Sequence, residues 1–445
     1  MDYLIAPLPE HIRRAVDSGE FRKARGLIAA ALKGPMPQGM AERLNFEVER
    51  LERLRKAYPY DRARVLKELR KLLRGVTAAE LAGWVKDGSA QPRLIDGRER
   101  FMRSAASNIF SCNRSALKPR LKKTDKAAMA DQKIEYARVR ALIAGAAPET
   151  KRVRARITLT LKKEPAGTVR CWLPFPRVAD QVSSARLIAA SHKNYRLAPP
   201  DAAHRTIYFE GRGREYFAEF EYTVSESVPR PPALRERNKV PAAVRRYLAE
   251  EPPHVVFTPF ARRLAAGIVG KEKDNFKKAA LIYDWLTHNL TYNFVVPYGI
   301  FENISAHILS TLRGDCGFQA LAFITLCRIA GVPAKWQSGW YLHGKQASSH
   351  DWAMFYCGGW RFADIAFGTG SRVTKKEDRR RFYFGNLDWR RMPANGEFGA
   401  PLWPAKKFWR SDPTDNQTGE AETSRGNIYF GDRKTRIDLL SVEKA

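Results

Sequence analysis

Apolar positions follow three different rhythms along the chain. Through residues 1–125 they recur at three-and-four spacing, the signature of amphipathic helices. "PEHIRRAVDSGEFRKARGLIAAALKG" keeps that spacing and stops at Gly34-Pro35, and "MAERLNFEVERLERLRKAY" repeats it with Leu44, Phe46, Val48, Leu51 and Leu54. "DRARVLKELRKLLRGV" ends at a glycine, and "TAAELAGWVKDG" sets Thr77 three residues before Glu80, which is capping-box spacing. These charged helices predict a small bundle or binding platform. A helix-turn-helix flavour near residues 61–87 is shared by helical hairpins of any function.

From about residue 150 the period shortens to two. "KRVRARITLTLKKE" alternates Val153, Ala155, Ile157, Leu159 and Leu161 against basic or Thr positions, and "GTVRCWLPFP", "HRTIYFEGRG" and "EYFAEFEYTVSE" follow with turn residues between. That predicts a β-sandwich-like domain over 150–228. The proline-rich, charged "VPRPPALRERNKVP" reads as a linker. Helical spacing then returns in "AAVRRYLAEE", "TPFARRLAAGIVG" and "NFKKAALIYDWLTHNLTYNF". A wholly apolar helix and the strands "AKWQSGWYL" and "HDWAMFYCGGWRFADIAFG" complete a core over 245–395. Residues 396–445 are expected to loop over the surface, with "NIYFG" and "RIDLLSV" as possible closing strands. The fold class is therefore α+β.

Composition narrows the function classes. With 44% hydrophobic and 11% aromatic residues the chain is globular, and at 445 residues it exceeds one ordinary core. No apolar stretch approaches the roughly 18 residues of a membrane span. The start lacks a basic segment followed by an apolar one, which slightly favours a cytoplasmic protein. The net charge of +31 allows an anionic surface or polymer as partner, but the basic runs at 114–126 and 375–381 lack interleaved stacking aromatics. Five cysteines without zinc spacing argue against a disulfide scaffold and against a metal site, and no cofactor is implied. The acidic stretch "DPTDNQTGE" lacks EF-hand spacing.

One cysteine stands apart. Cys316 opens the helix "CGFQALAFITLCRIAG" behind Asp315, an N-cap residue, so the helix dipole is expected to favour its thiolate. Cys327 and Cys357 read as core. A nucleophile needs a base held by a third group. His350 in "SSHDW" and Asp364 in "RFADIAF" offer both, on two strands around Gly358-Gly359. A two-residue loop would set Ala353 opposite Asp364 and turn His350 to the other face. A three-residue loop sets Trp352 opposite Asp364 and brings His350 onto its face, one diagonal away. The triad requires an odd loop or one bulge. His343 is the reserve base, and Gln319 reads as packing. Tyr292 and Asn293 are oxyanion candidates beside the Cys316 N–H. Trp336, Trp340 and Trp352 are candidate groove walls.

These segments also resemble a family. "GDCGFQALAFITLCRIAGVPA", "HDWAMFY" and "GWRFADIAFG", preceded by "IYDWLTHNLTYNF", are similar to the transglutaminase-like superfamily. Its members are papain-fold cysteine enzymes that include protein cross-linkers, peptidases and amidases. "FYFGNLDWRRMPAN" resembles a bacterial subgroup of unassigned activity. The resemblance implies a papain-like core with Cys316 as nucleophile, His350 as base and Asp364 as orienting carboxylate. It implies acyl transfer on a protein or peptide substrate, with hydrolysis slightly favoured over amine transfer. The alternative is a non-catalytic binding protein that keeps the core.

Overall fold

The computed structural model describes residues 2–123, 125–411 and 415–445, so the first three residues of the acidic stretch "DPTDNQTGE" lie outside the described residues. The N-terminal helices pack into two small apolar cores. One gathers Ile12, Val16, Phe21, Leu44 and Leu51, and the other Val65, Leu69, Leu81, Trp84 and Phe101. The Thr77–Glu80 capping box forms in both directions, at 2.9 and 3.2 Å. The spacing did not reveal a short hairpin, Arg93–Ile95 with Arg98–Arg100, or a final helix at Lys126–Ile143.

This bundle grips the segment that leads to Cys316. Val296 and Ile300 of that segment complete the first small core. Asn108 donates to the Phe294 carbonyl at 2.9 Å and accepts from the Phe294 N–H at 2.8 Å. Fully buried Glu47 holds Arg43 at 2.7 Å and Arg50 at 2.8 Å, and Arg50 donates on to the Ile300 carbonyl at 3.0 Å. Buried ion pairs of this sort add little net stability but are costly to break, so they fix geometry.

The β-rich part and the core share one curled sheet of nine strands. Thr150–Leu161 runs between Glu215–Ser225 and the last strand, Arg433–Lys444. That last strand meets Gln346–Tyr356 of the core through Asp438 opposite Gln346. A second, five-stranded sheet receives Glu420–Thr423 beside Val169–Pro174. Val153, Ile157, Leu159, Phe209, Phe220 and Trp340 fill the space between the sheets. The C-terminal residues are thus structural members of both layers.

At the centre lies the helix Cys316–Ile329, buried at every position from Cys316 to Arg328. A helix apolar on all sides can only be central. It packs against Pro259–Val269, Asn275–Asn289 and Ile304–Thr311, and on its remaining side against Ala353 and Phe355 of the sheet. Among the described residues no helix is long and apolar enough to cross a membrane, and all five cysteines are free thiols.

Candidate active site

The hairpin has the odd loop. Tyr356 pairs with Trp360, Met354 with Phe362 and Ala353 with Ala363, which leaves Cys357, Gly358 and Gly359 as a three-residue turn. Both glycines have positive φ, 64° and 147°, conformations that L side chains rarely adopt. The register carries Asp364 onto the face of His350. His350 Nε2 and Asp364 Oδ2 are 2.8 Å apart.

Asp364 is then fixed from two more directions. Its Oδ1 accepts the Phe367 N–H at 3.0 Å, capping the helix Ile365–Val373. Its Oδ2 also accepts from Arg391 Nη2 at 2.9 Å. Burial would raise its pKa, but the neighbouring His350 and Arg391 charges and the hydrogen bonds outweigh that and hold it well below the usual carboxylate range. Arg391 is fully buried, paired as well with Asp388 at 2.8 Å, and stacked 3.9 Å above the Phe367 ring centroid. The His350 ring sits among Phe367, Tyr341 and Trp352.

Cys316 has a different neighbour from the one expected. Its Sγ donates to Asp351 Oδ2 at 3.1 Å, and no hydrogen bond joins it to His350. Successive strand residues leave on opposite faces. Asp351 goes with Ala353 and Phe355 toward the Cys316 helix, while His350 goes with Trp352 and Met354, which pack with Phe362 and Leu387. Two of the three expected residues are therefore brought together, and the third is held through the residue next to them.

The thiolate expectation is overturned. Burial, then the Asp351 and Asp315 charges, push the Cys316 thiol well above its ordinary value. The dipole of a helix terminus contributes a modest, short-range term; burial beside two carboxylates opposes and exceeds it. Asp315 does cap the helix, accepting the Phe318 N–H at 3.3 Å. Its own carboxyl is pushed up to about 7 by burial, against the Tyr298 hydroxyl bond at 2.6 Å. Tyr298 OH also lies 3.2 Å from Asp351 Oδ2. Burial and the adjacent Asp415 raise Asp351 well above the carboxylate range, and burial raises Asp415 too.

The C-terminal stretch does not simply loop over the surface. Gln417 Nε2 donates to the His350 carbonyl at 2.9 Å and also to Asp351 Oδ1, and Asp415 and Gln417 are buried. Nothing in the sequence spacing links residues 415–417 to Cys316.

The remaining candidates divide. Tyr292 borders Cys316, and burial followed by the Cys316 and Asp315 charges raises its hydroxyl well above its usual value. Asn293 is turned away: its side chain meets Cys112 and Gln91, and its N–H donates to the Gly314 carbonyl. The Cys316 N–H is one of the first-turn donors that a helix leaves without an internal acceptor. Trp336 lines a cavity beside the helix. Trp340 and Trp352 do not wall a groove. Both are fully buried, Trp340 against Phe220 with its N–H on the Gln417 carbonyl, Trp352 with its N–H on Gln337 Oε1. Their indoles fill sheet cores because Trp340 faces the sandwich and Trp352 the Phe362 cluster. Gln319 packs as read, bridging the Gly314 carbonyl and Thr369. His343 stacks on Tyr341. Among the described residues no group of three or more His, Cys, Asp or Glu is arranged to hold a metal ion.

Residues 262–365 match the model of the transglutaminase-like superfamily, a span that contains Cys316, His350 and Asp364. The core of this chain is transglutaminase-like. Among solved structures, the chain is similar to a candidate cysteine protease from Cytophaga hutchinsonii, with 13% identity over 67% of this chain and 93% of that one, at a TM-score of 0.44. It is also similar to the periplasmic domain of TgpA from Pseudomonas aeruginosa, with 16% identity over 54% and 95% of the two chains, at a TM-score of 0.29. No curated protein matches the chain.

Proposed function

We propose that the chain is a cysteine-dependent acyl-transfer enzyme. Cys316 is the nucleophile toward a peptide bond or glutamine carboxamide, and water is the favoured acceptor. The observation that carries this reading is the His350–Asp364–Arg391 ladder, set one strand residue from the carboxylate that touches Cys316. With Nε2 donating to Asp364, the imidazole keeps a fixed orientation and leaves Nδ1 as the proton acceptor. In the resting arrangement the thiol keeps its proton on the Asp351 side. Chemistry begins when substrate displaces that hydrogen bond and the strand segment at 350–351 shifts, so that Nδ1 of His350, which rests on the other strand face, comes within reach of the thiol proton. The thiolate then adds to the carbonyl, and His350 protonates the leaving amine and activates the incoming water.

A second reading makes Asp351 the proton acceptor, favoured by the 3.1 Å Sγ···Oδ2 contact. Peptide hydrolysis by wild type, Cys316→Ala, His350→Gln and Asp351→Asn separates the two. A loss of about 10² to 10⁴ in His350→Gln with activity retained in Asp351→Asn supports His350. The reverse pattern supports Asp351. No turnover by wild type would leave a non-catalytic binding protein, and equal turnover by Cys316→Ala would remove Cys316 as the nucleophile. Incorporation of a labelled primary amine into a glutamine-bearing protein would overturn the preference for water.

A further inference from the structure

A cavity runs beside the Cys316 helix, away from the thiol. Its inner part, about 60 Å³, is walled by Val255, Leu321, Ile324 and Phe398. A neighbouring cavity of about 180 Å³, rimmed by Arg246, Lys335, Glu250 and Glu397, shares Glu251, Arg328, Trp336 and Phe398 with it. The tight loop that carries His254 is closed by Glu251 and Val255, which exchange backbone hydrogen bonds at 2.8 and 2.9 Å.

Two N–H donors on the lining find no acceptor among the described residues: Trp336 Nε1 and His254 Nε2. Their residues are only 3% and 2% exposed. His254 Nδ1 accepts the Ile304 N–H at 3.3 Å, so the ring proton sits on Nε2. Burial lowers His254 to about 3, so the ring is neutral at any working pH. Both rings pack on the same Phe398, at 5.0 and 5.2 Å between centroids. Unpaired buried donors cost about 1–3 kcal/mol each, and two in one cavity mark a place for an acceptor. The only charges on the inner lining, Arg328 and Glu251, are paired with each other at 3.1 Å. The inner lining therefore carries no unpaired charge, and Val255, Leu321, Ile324 and Phe398 give it an apolar wall.

We propose that this cavity is a specificity subsite for an uncharged, apolar residue of a peptide substrate, whose backbone carbonyl accepts from Trp336 Nε1 and His254 Nε2. Leu321 and Ile324 lie five and eight residues along the helix from Cys316, roughly 7 to 12 Å at 1.5 Å per residue. An extended peptide covers that in about two to four residues. Phe398 links the two places, because it also packs 5.9 Å from Tyr298, whose hydroxyl reaches Asp351.

The inference rests on the reading that the substrate is a peptide, but its test reads binding rather than turnover. The full chain carrying Cys316→Ala, with ¹⁵N-labelled indoles, is titrated with N-acetyl-leucine methylamide and N-acetyl-aspartate methylamide up to about 20 mM, which covers millimolar affinity. The expected result is a saturable shift of the Trp336 indole N–H with the leucine probe and none with the aspartate probe. Calorimetry on Trp336→Phe, which keeps a ring but loses the donor, should show about five- to tenfold weaker binding. No indole shift, meaning water alone serves the donors, overturns the proposal. So does an equal shift with the aspartate probe, or unchanged affinity in Trp336→Phe. Leucine binding by a chain without peptidase activity would leave the subsite standing and remove only the proposed reaction.

Discussion

Replacing Asp351 by Asn should make Cys316 more reactive, not less. The Asp351 Oδ2 atom lies 3.1 Å from the sulfur. At an effective dielectric of about 20, a full charge at that distance costs the thiolate about 5 kcal/mol, or about 4 pH units. Burial beside Asp415 raises Asp351, so it carries only part of that charge and the shift is smaller than the full-charge figure. The thiolate fraction at neutral pH then rises. Intrinsic nucleophilicity falls as the pKa falls, by about half a log unit per unit, so the gain in alkylation is bounded at about a hundredfold. The assay is iodoacetamide labelling between pH 7 and 9, with peptide mass mapping to separate Cys316 from the half-buried Cys112. Equal or slower alkylation of Cys316 in a variant of native circular dichroism would refute the assignment of Asp351 as the group that holds the thiol protonated.

Asp315, raised by burial to about 7, binds its proton more tightly folded than unfolded. Its contribution to stability is fully present below about pH 4 and is lost as pH rises through 7, at up to ~1.4 kcal/mol per pH unit. Asp315→Asn keeps an N-cap acceptor, so urea midpoints should fall less between pH 4 and 7 than in wild type; parallel curves would contradict this. Arg391→Met leaves Asp364 and Asp388 buried without their shared cation and should cost about 3–5 kcal/mol in urea unfolding. Gly358→Ala places a Cβ at φ 64°, 3.1 Å from Glu236 Cβ and 3.2 Å from Pro232 Cβ. It should lower stability by about 1–2 kcal/mol, and a neutral result would mean the three-residue turn is not under constraint.

Local pattern decided much of this protein. The three hydrophobic rhythms gave the helical, β-rich and mixed regions. The capping box at Thr77 and the apolar helical run from Cys316 followed from spacing, because period is a local property of the chain; spacing allowed two hairpin loops, and only the three-residue one pairs His350 with Asp364. What surrounds Cys316 was decided elsewhere. Asp351 stands next to His350 in sequence, yet which face each takes depends on where the central helix packs. Tyr298 and Gln417 reach the carboxylates beside the thiol from outside its helix and strand, and Arg391 reaches Asp364 from a strand with two others between them in the sheet. Cys316 begins a helix whose dipole favours the thiolate, and sequence carries that term. The larger opposing terms, burial and neighbouring carboxylates, are functions of distance in three dimensions, which only the packed tertiary structure sets.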